Sequence, residues 1–186
     1  MTASETHLQA LKEKITNRTA IVGVVGLGYV GLPFAVEKAK VGFRVIGVEQ
    51  NPRRAELVNR GESYIADVPT EVLKEVVDKG LLRAETGFDR VAEMDVIVIA
   101  VPTPLTRNLT PDLQYVERVT REIAPRLRPG QLISLESTTY PGTTEEVMLP
   151  ILEQSGPKVE EDFFLVHSPE RVDPGNKRDT TPTTTK

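Results

Sequence analysis

Gly26, Gly28 and Gly31 stand directly between an uninterrupted apolar run, Ala20–Val25, and a segment of helical periodicity, Tyr29–Val41. This spacing restricts the fold more than any other feature of the chain. A β-branched run without polar alternation reads as a strand buried on both faces, and such strands belong to parallel sheets. A parallel strand needs a crossover back to its neighbour, and the crossover here begins in a glycine-rich turn. Each glycine of the G-x-G-x-x-G pattern has a steric reason. Gly26 suits a tight turn, Gly28 leaves the backbone approachable, and Gly31 lets helix and strand pack closely.

The rest of the chain repeats the alternation. Phe43–Val48, Val96–Val101, Gln131–Leu135 and Phe163–Val166 are predicted as strands, with a shorter one at Leu82–Ala84. Asn51–Arg60 and Thr70–Asp78 are predicted as helices around a loop at Gly61–Pro69. Leu113, Val116, Val119, Ile123 and Leu127 mark one apolar helical face. Thr143 and Glu146 have capping-box spacing for a later helix, and Pro150 should kink or end its first part. Leu8, Leu11 and Ile15 predict an amphipathic lead-in helix within 1–18. Strands alternating with helices give an α/β class, a doubly wound, mostly parallel sheet over 19–172. A polar tail, 173–186, follows.

Composition narrows the function classes. The chain has 186 residues, a net charge of −4 and no cysteine. An acidic chain offers no surface for nucleic acid or anionic membrane. The missing cysteines exclude disulfides, thiolate catalysis and thiolate metal sites within this chain, and His7 and His167 alone make no histidine-rich metal centre, so no metal site is expected. The start of the chain is polar and charged, unlike a signal peptide, and the apolar stretch Ala20–Val36 is broken by glycines and Pro33. A cytoplasmic location is expected.

A strand, a glycine turn and a helix start together form a phosphate site, because the first N–H groups of a helix lack partners and carry partial positive charge. Glu49 closes the next strand about 20 residues on, where an acid should hold ribose hydroxyls. The turn and the acid together predict a dinucleotide-binding, Rossmann-type unit. Glu49 favours NAD over NADP: a 2′-phosphate about 4 Å away would be disfavoured by about 4 kcal/mol per charge pair at an effective dielectric of about 20. Arg53 and Arg54 follow it, either as solvated helix residues or with one at the ribose edge.

Ligands of open α/β sheets sit beyond the carboxyl ends of the strands. Val101–Pro104, Glu136–Thr139 and His167–Glu170 each follow a predicted strand there. Their threonines serve either turn chemistry or a site near the nicotinamide. Glu170 taken alone fits a solvated loop, and His167 fits packing better than base catalysis.

With these residues laid out, the chain resembles the N-terminal domain of the UDP-glucose/GDP-mannose dehydrogenase family from Thr19 to Arg178. The segments that carry the resemblance are GVVGLGYVGLPFA, VIAVPTPL, PDLQYV, ESTTYPGTTEEVMLP and HSPERVDPGN. They are most similar to members acting on UDP-N-acetylhexosamines. The resemblance implies oxidation of a sugar C6 alcohol to a carboxylate with two NAD at one active site. It places Tyr29 and Val30 along the pyrophosphate turn, Glu49 on the adenosine ribose with Arg54 beside it, and Thr103 on the nicotinamide side. It gives Thr138 a part in positioning the catalytic water. Glu170 would touch cofactor and substrate and assist acid–base steps. The family commonly has aspartate where Glu49 stands.

The resemblance further implies a nucleophilic cysteine, a lysine, an asparagine, a dimer-forming central helix and a UDP-binding domain beyond Lys186. A thiolate is needed to hold the aldehyde for the second oxidation. A truncated domain is therefore expected. It should be short of the last strand of its sheet, and should bind NAD without completing the oxidation. The full-length enzyme would take a UDP-sugar and form a homodimer or larger assembly. Two alternatives remain open on the residues alone. A β-hydroxyacid dehydrogenase also joins a glycine turn to a serine–threonine segment, and a non-enzymatic NAD-sensing module would use the same turn. A short-chain dehydrogenase is disfavoured because Tyr-x-x-x-Lys does not occur.

Overall fold

The computed structural model describes residues 2–169. Six parallel strands form one sheet in the order β3-β2-β1-β4-β5-β6. They are β1 (Ile21–Val25), β2 (Arg44–Val48), β3 (Leu82–Glu85), β4 (Val96–Ile99), β5 (Gln131–Leu135) and β6 (Phe163–His167). The chain runs outward from β1 to β3, returns to the centre, then runs outward again through β4 to β6. This is the Rossmann order, with the switch of direction between β1 and β4. The six strands expected from the sequence are the six of this sheet among the described residues.

The two faces of β1 feed separate cores. Val22 and Val24 join Leu32, Ala35, Val36 and Ala39 of α2 (Gly31–Lys40), with α3 (Pro52–Asn59) and α4 (Thr70–Asp78) completing that layer. The α2 residues recur at helical spacing, so one stripe is buried along the helix. Val25, Ile97, Ile99, Ile133 and Leu135 face the opposite way. They pack on Val116, Val119 and Ile123 of α5 (Gln114–Ile123) and on Ile151 and Leu152 of α6 (Leu149–Glu153). Fully burying a leucine or isoleucine of this kind contributes about 1.5–3 kcal/mol. The two layers hold the carboxyl ends of the strands on one rim.

The lead-in helix α1 (Ala3–Thr16) lies at the opposite rim, and its apolar stripe is thinner than its spacing suggests. Leu11 is buried, but Leu8 and Ile15 are exposed. Polar bonds dock it instead: Lys14 Nζ donates to Asp95 Oδ1 at 2.7 Å, ahead of β4. The expected Thr143 capping box does not form. Its hydroxyl donates backward to the Tyr140 carbonyl at 2.8 Å, and a π-helical turn, Thr144–Met148, precedes α6. A wider turn leaves no N–H in reach of Thr143, and Pro150 falls in the first turn of α6, where its missing N–H is harmless.

Candidate functional site

The glycine turn has the shape that its spacing requires. Gly26 has φ of +93°, a left-handed conformation, and a Cβ there would meet the Ala100 carbonyl oxygen at 2.6 Å. A Cβ at Gly31 would lie 1.7 Å from the Gly26 carbonyl oxygen. A Cβ at Gly28 meets nothing within 4 Å. The first and third glycines are thus required by the protein's own backbone, whereas the second borders open space. The N–H groups of Gly28, Tyr29, Val30 and Gly31 find no acceptor among the described residues. Three of these donors, on Gly28, Tyr29 and Val30, belong to residues bordering a space without a side chain, the cradle an anion would fill.

That space opens into a cleft of about 520 Å³ over the switch point. Gly26, Gly28, Tyr29, Val30, Glu49 and Arg54 all line it, so the structure brings these six expected residues together. Gly31 lies buried behind them. Val101 and Pro102 close the side above β4.

Glu49 is 9% exposed and its carboxylate binds two backbone donors. Oε2 accepts from the Leu27 N–H at 3.3 Å and Oε1 from the Asn51 N–H at 2.9 Å. The longer side chain of glutamate therefore reaches the glycine turn, and carboxylate oxygens keep further lone pairs for ribose hydroxyls. Asn51 also caps α3, accepting from the Arg53 and Arg54 N–H groups. Arg53 is exposed, and Arg54 rests over the Tyr64 ring, 5.5 Å from its centroid.

Two residues of this site carry no motif. Tyr64, in the loop between α3 and α4, donates its hydroxyl to the Leu27 carbonyl at 2.6 Å. Burial first, then the Glu49 charge, push its pKa well above that of an ordinary tyrosine, while Arg54 opposes them. The phenol thus keeps its proton and remains a donor. Arg118 on α5 lines the cleft, is exposed, and its side chain has no ion pair or hydrogen bond among the described residues. Its only sequence signal is a place on the flank of an amphipathic helix.

Thr103 and Thr138 meet beside the cleft. Thr103 Oγ1 donates to the Thr138 carbonyl at 2.6 Å, and Ser137 Oγ donates to the Val101 carbonyl at 2.8 Å. The loops after β4 and β5 are thereby stitched together, with the Thr138 side chain exposed. Ser168 joins the same rim, its N–H donating to the Leu135 carbonyl at 3.0 Å. His167 is not the packing residue its neighbours suggest. It is exposed at the end of β6, the edge strand of the sheet among the described residues. Glu170 lies outside the described residues, as does the polar tail. No helix among the described residues is long and apolar enough to cross a membrane.

The profile of the UDP-glucose/GDP-mannose dehydrogenase family, NAD binding domain, matches residues 20–184. The chain is 39% identical over 157 residues to a UDP-N-acetyl-D-glucosamine 6-dehydrogenase of Pseudomonas aeruginosa, covering 84% of this chain and 36% of that protein. It is 41% identical over 166 residues to a UDP-N-acetyl-D-mannosamine dehydrogenase of Escherichia coli K12, covering 84% and 38%. Among solved structures, an NDP-N-acetyl-D-galactosaminuronic acid dehydrogenase of Methanosarcina mazei Go1 superposes with a TM-score of 0.83 at 35% identity, over 94% of this chain and 38% of that one. The chain thus spans 36–38% of the length of these relatives.

Proposed function

The chain belongs to the UDP-glucose/GDP-mannose dehydrogenase family, and from that membership we propose that it is the NAD-binding part of an enzyme that oxidises the C6 alcohol of a UDP-N-acetylhexosamine to a uronate. The observation that carries the reading is the Glu49 carboxylate bonded to the Leu27 N–H beside a cleft lined by Gly28, Tyr29 and Val30, whose N–H groups have no acceptor among the described residues. In this reading those donors hold the pyrophosphate, with Tyr29 and Val30 along it. Glu49 holds the adenosine ribose and Arg54 stands beside it. When bound, NAD supplies the hydride acceptor.

The chain's own residues then bind and orient. Thr103 fixes the Thr138 backbone, so the exposed Thr138 hydroxyl is held on the nicotinamide side, where it positions the water of the hydrolytic step. Glu170 is assigned the acid–base role on the strength of the family segment HSPERVDPGN alone. The N-acetylated sugars named for the relatives support the substrate class. A homodimer or larger assembly of the whole enzyme and a cytoplasmic location belong to the same proposal and rest on the family alone.

The test is calorimetric titration of the chain with NAD and NADP, and NADH formation by an intact enzyme carrying this domain on a panel of nucleotide sugars. Binding of NAD in preference to NADP, with turnover confined to UDP-N-acetylhexosamines, is the expected result. Turnover of only UDP-glucose or GDP-mannose would contradict the substrate class. Absence of NAD binding would contradict the whole reading.

A further inference from the structure

Leu27, the residue between the first two glycines of the turn, is gripped on both sides of its backbone. Its N–H donates to Glu49, and its carbonyl accepts from the Tyr64 hydroxyl at 2.6 Å. Its side chain is fully buried, and a Cβ on Gly47 would meet Leu27 Cδ1 at 2.6 Å, so the residue has no room to rotate on that side. Tyr64 itself does not line the cleft. Its ring carries the Arg54 guanidinium, which does.

The loop that presents Tyr64 is rigidly seated. The Ser63 N–H donates to Thr70 Oγ1 at 3.3 Å, Ser63 Oγ donates to the Ile65 carbonyl at 3.0 Å, and Ile65 and Val68 are buried in the core against α2. A half-buried tyrosine on an anchored loop is therefore the common support of the turn and of the arginine nearest the ribose acid.

We propose that Tyr64 is a positioning residue for the dinucleotide, with two separable parts: its hydroxyl fixes the Leu27 carbonyl and with it the N–H donors of the glycine turn, and its ring parks Arg54 so that the Glu49 charge decides between NAD and NADP. This inference rests on the NAD reading above. A stacked guanidinium is held by the electron-rich ring face. Once released, it is free to turn toward a 2′-phosphate, which its planar fork binds well. The hydroxyl acts on affinity for both cofactors, and the ring acts on the ratio between them.

The experiment titrates the wild-type chain, Tyr64→Phe, Tyr64→Leu and Tyr64→Leu/Arg54→Gln with NAD and with NADP, after circular dichroism has shown each to be folded. Tyr64→Phe keeps the ring and should weaken both cofactors by about fivefold, the loss of one net hydrogen bond, with their ratio unchanged. Tyr64→Leu should in addition shift the ratio toward NADP by about threefold or more, the size of an exposed cation–π contact. Adding Arg54→Gln should cancel that shift. A purely structural tyrosine would weaken both cofactors in every variant without moving the ratio. Should Tyr64→Leu fail to fold, Tyr64→Met, whose flexible side chain fills more of the ring's space, replaces it in both the single and the double variant, with the same shifts expected. The proposal is overturned if Tyr64→Phe binds NAD as tightly as wild type, or if Tyr64→Leu keeps the wild-type ratio. A wild-type chain that binds neither cofactor overturns the NAD reading instead.

Discussion

The Thr103 hydroxyl donates to the Thr138 carbonyl at 2.6 Å, and one residue earlier the Ser137 hydroxyl donates back to the Val101 carbonyl at 2.8 Å. Two reciprocal bonds thus join loops that leave different strands. Ser137 is 6% exposed, so its removal leaves the half-buried Val101 carbonyl without that partner. Ser137→Ala should cost about 1–3 kcal/mol of stability, read as a lower urea midpoint with an unchanged slope. Thr103→Val acts at a wetter bond and should cost less.

Glu49 joins the turn to the end of β2 through two backbone donors. Glu49→Gln keeps the shape but replaces one acceptor oxygen with an amide and removes the charge. We expect NAD affinity to fall about tenfold or more, since a hydrogen bond to a charged group is worth about 1.5–3 kcal/mol, and the preference over NADP to shrink. Paired calorimetric titrations at one ionic strength check both effects. An unchanged NADP-to-NAD ratio would show that Glu49 does not face the 2′ position.

Arg118 lines the cleft, and its side chain has no partner among the described residues. Facing an anionic cofactor from an exposed position, it should add a modest, screened attraction. Arg118→Ala is expected to weaken NAD about two- to fivefold at low salt and hardly at all near 1 M salt, where the screening length falls to about 3 Å. A salt-independent loss would point to packing by its aliphatic stem.

Asp95 gives the chain a pH-dependent anchor at the rim opposite the cleft. Its Oδ1 accepts from Lys14 at 2.7 Å and Arg128 at 2.6 Å, and its Oδ2 from the Ile21 N–H at 2.9 Å. Burial is the largest single influence and raises its pKa, but the Lys14, Ile21 and Arg128 bonds together outweigh it and hold the group below its ordinary value. A depressed carboxylate stabilises the fold fully above its unfolded pKa, about 3.9, and loses that contribution as pH falls through the lower folded value. Chemical denaturation from pH 7 to pH 2 should therefore show a loss of stability beginning near pH 4, and Asp95→Asn should flatten part of it. At pH 7 the substitution should cost about 1–3 kcal/mol.

The parts of this molecule that follow from periodicity and sterics were legible in its residues. The strands and the glycine turn belong to this class, because β-branched runs and the three glycines each answer a local demand. Glu49 was legible by its distance from the turn, although its bond to Leu27 was not. Tyr64 escaped because a tyrosine in a polar loop has no spacing rule, and its two partners are brought to it by tertiary packing. Arg118 reads as an ordinary solvated flank residue until α5 is docked beside the turn. Thr143 misled because a hydroxyl can bond forward to an N–H or backward to a carbonyl, and the π-helical turn decided for the second.

We place the pyrophosphate of NAD in the open space over Gly28. Gly28→Val tests it directly, since a side chain there meets no protein atom within 4 Å at its Cβ and should leave the fold intact. Calorimetric titration with NAD, beside a thermal melt of the same sample, is the measurement. The expected result is an unchanged melting temperature and NAD affinity lowered by about a hundredfold or more, a loss of at least about 2.7 kcal/mol. A folded Gly28→Val chain that binds NAD as tightly as the wild type would contradict it.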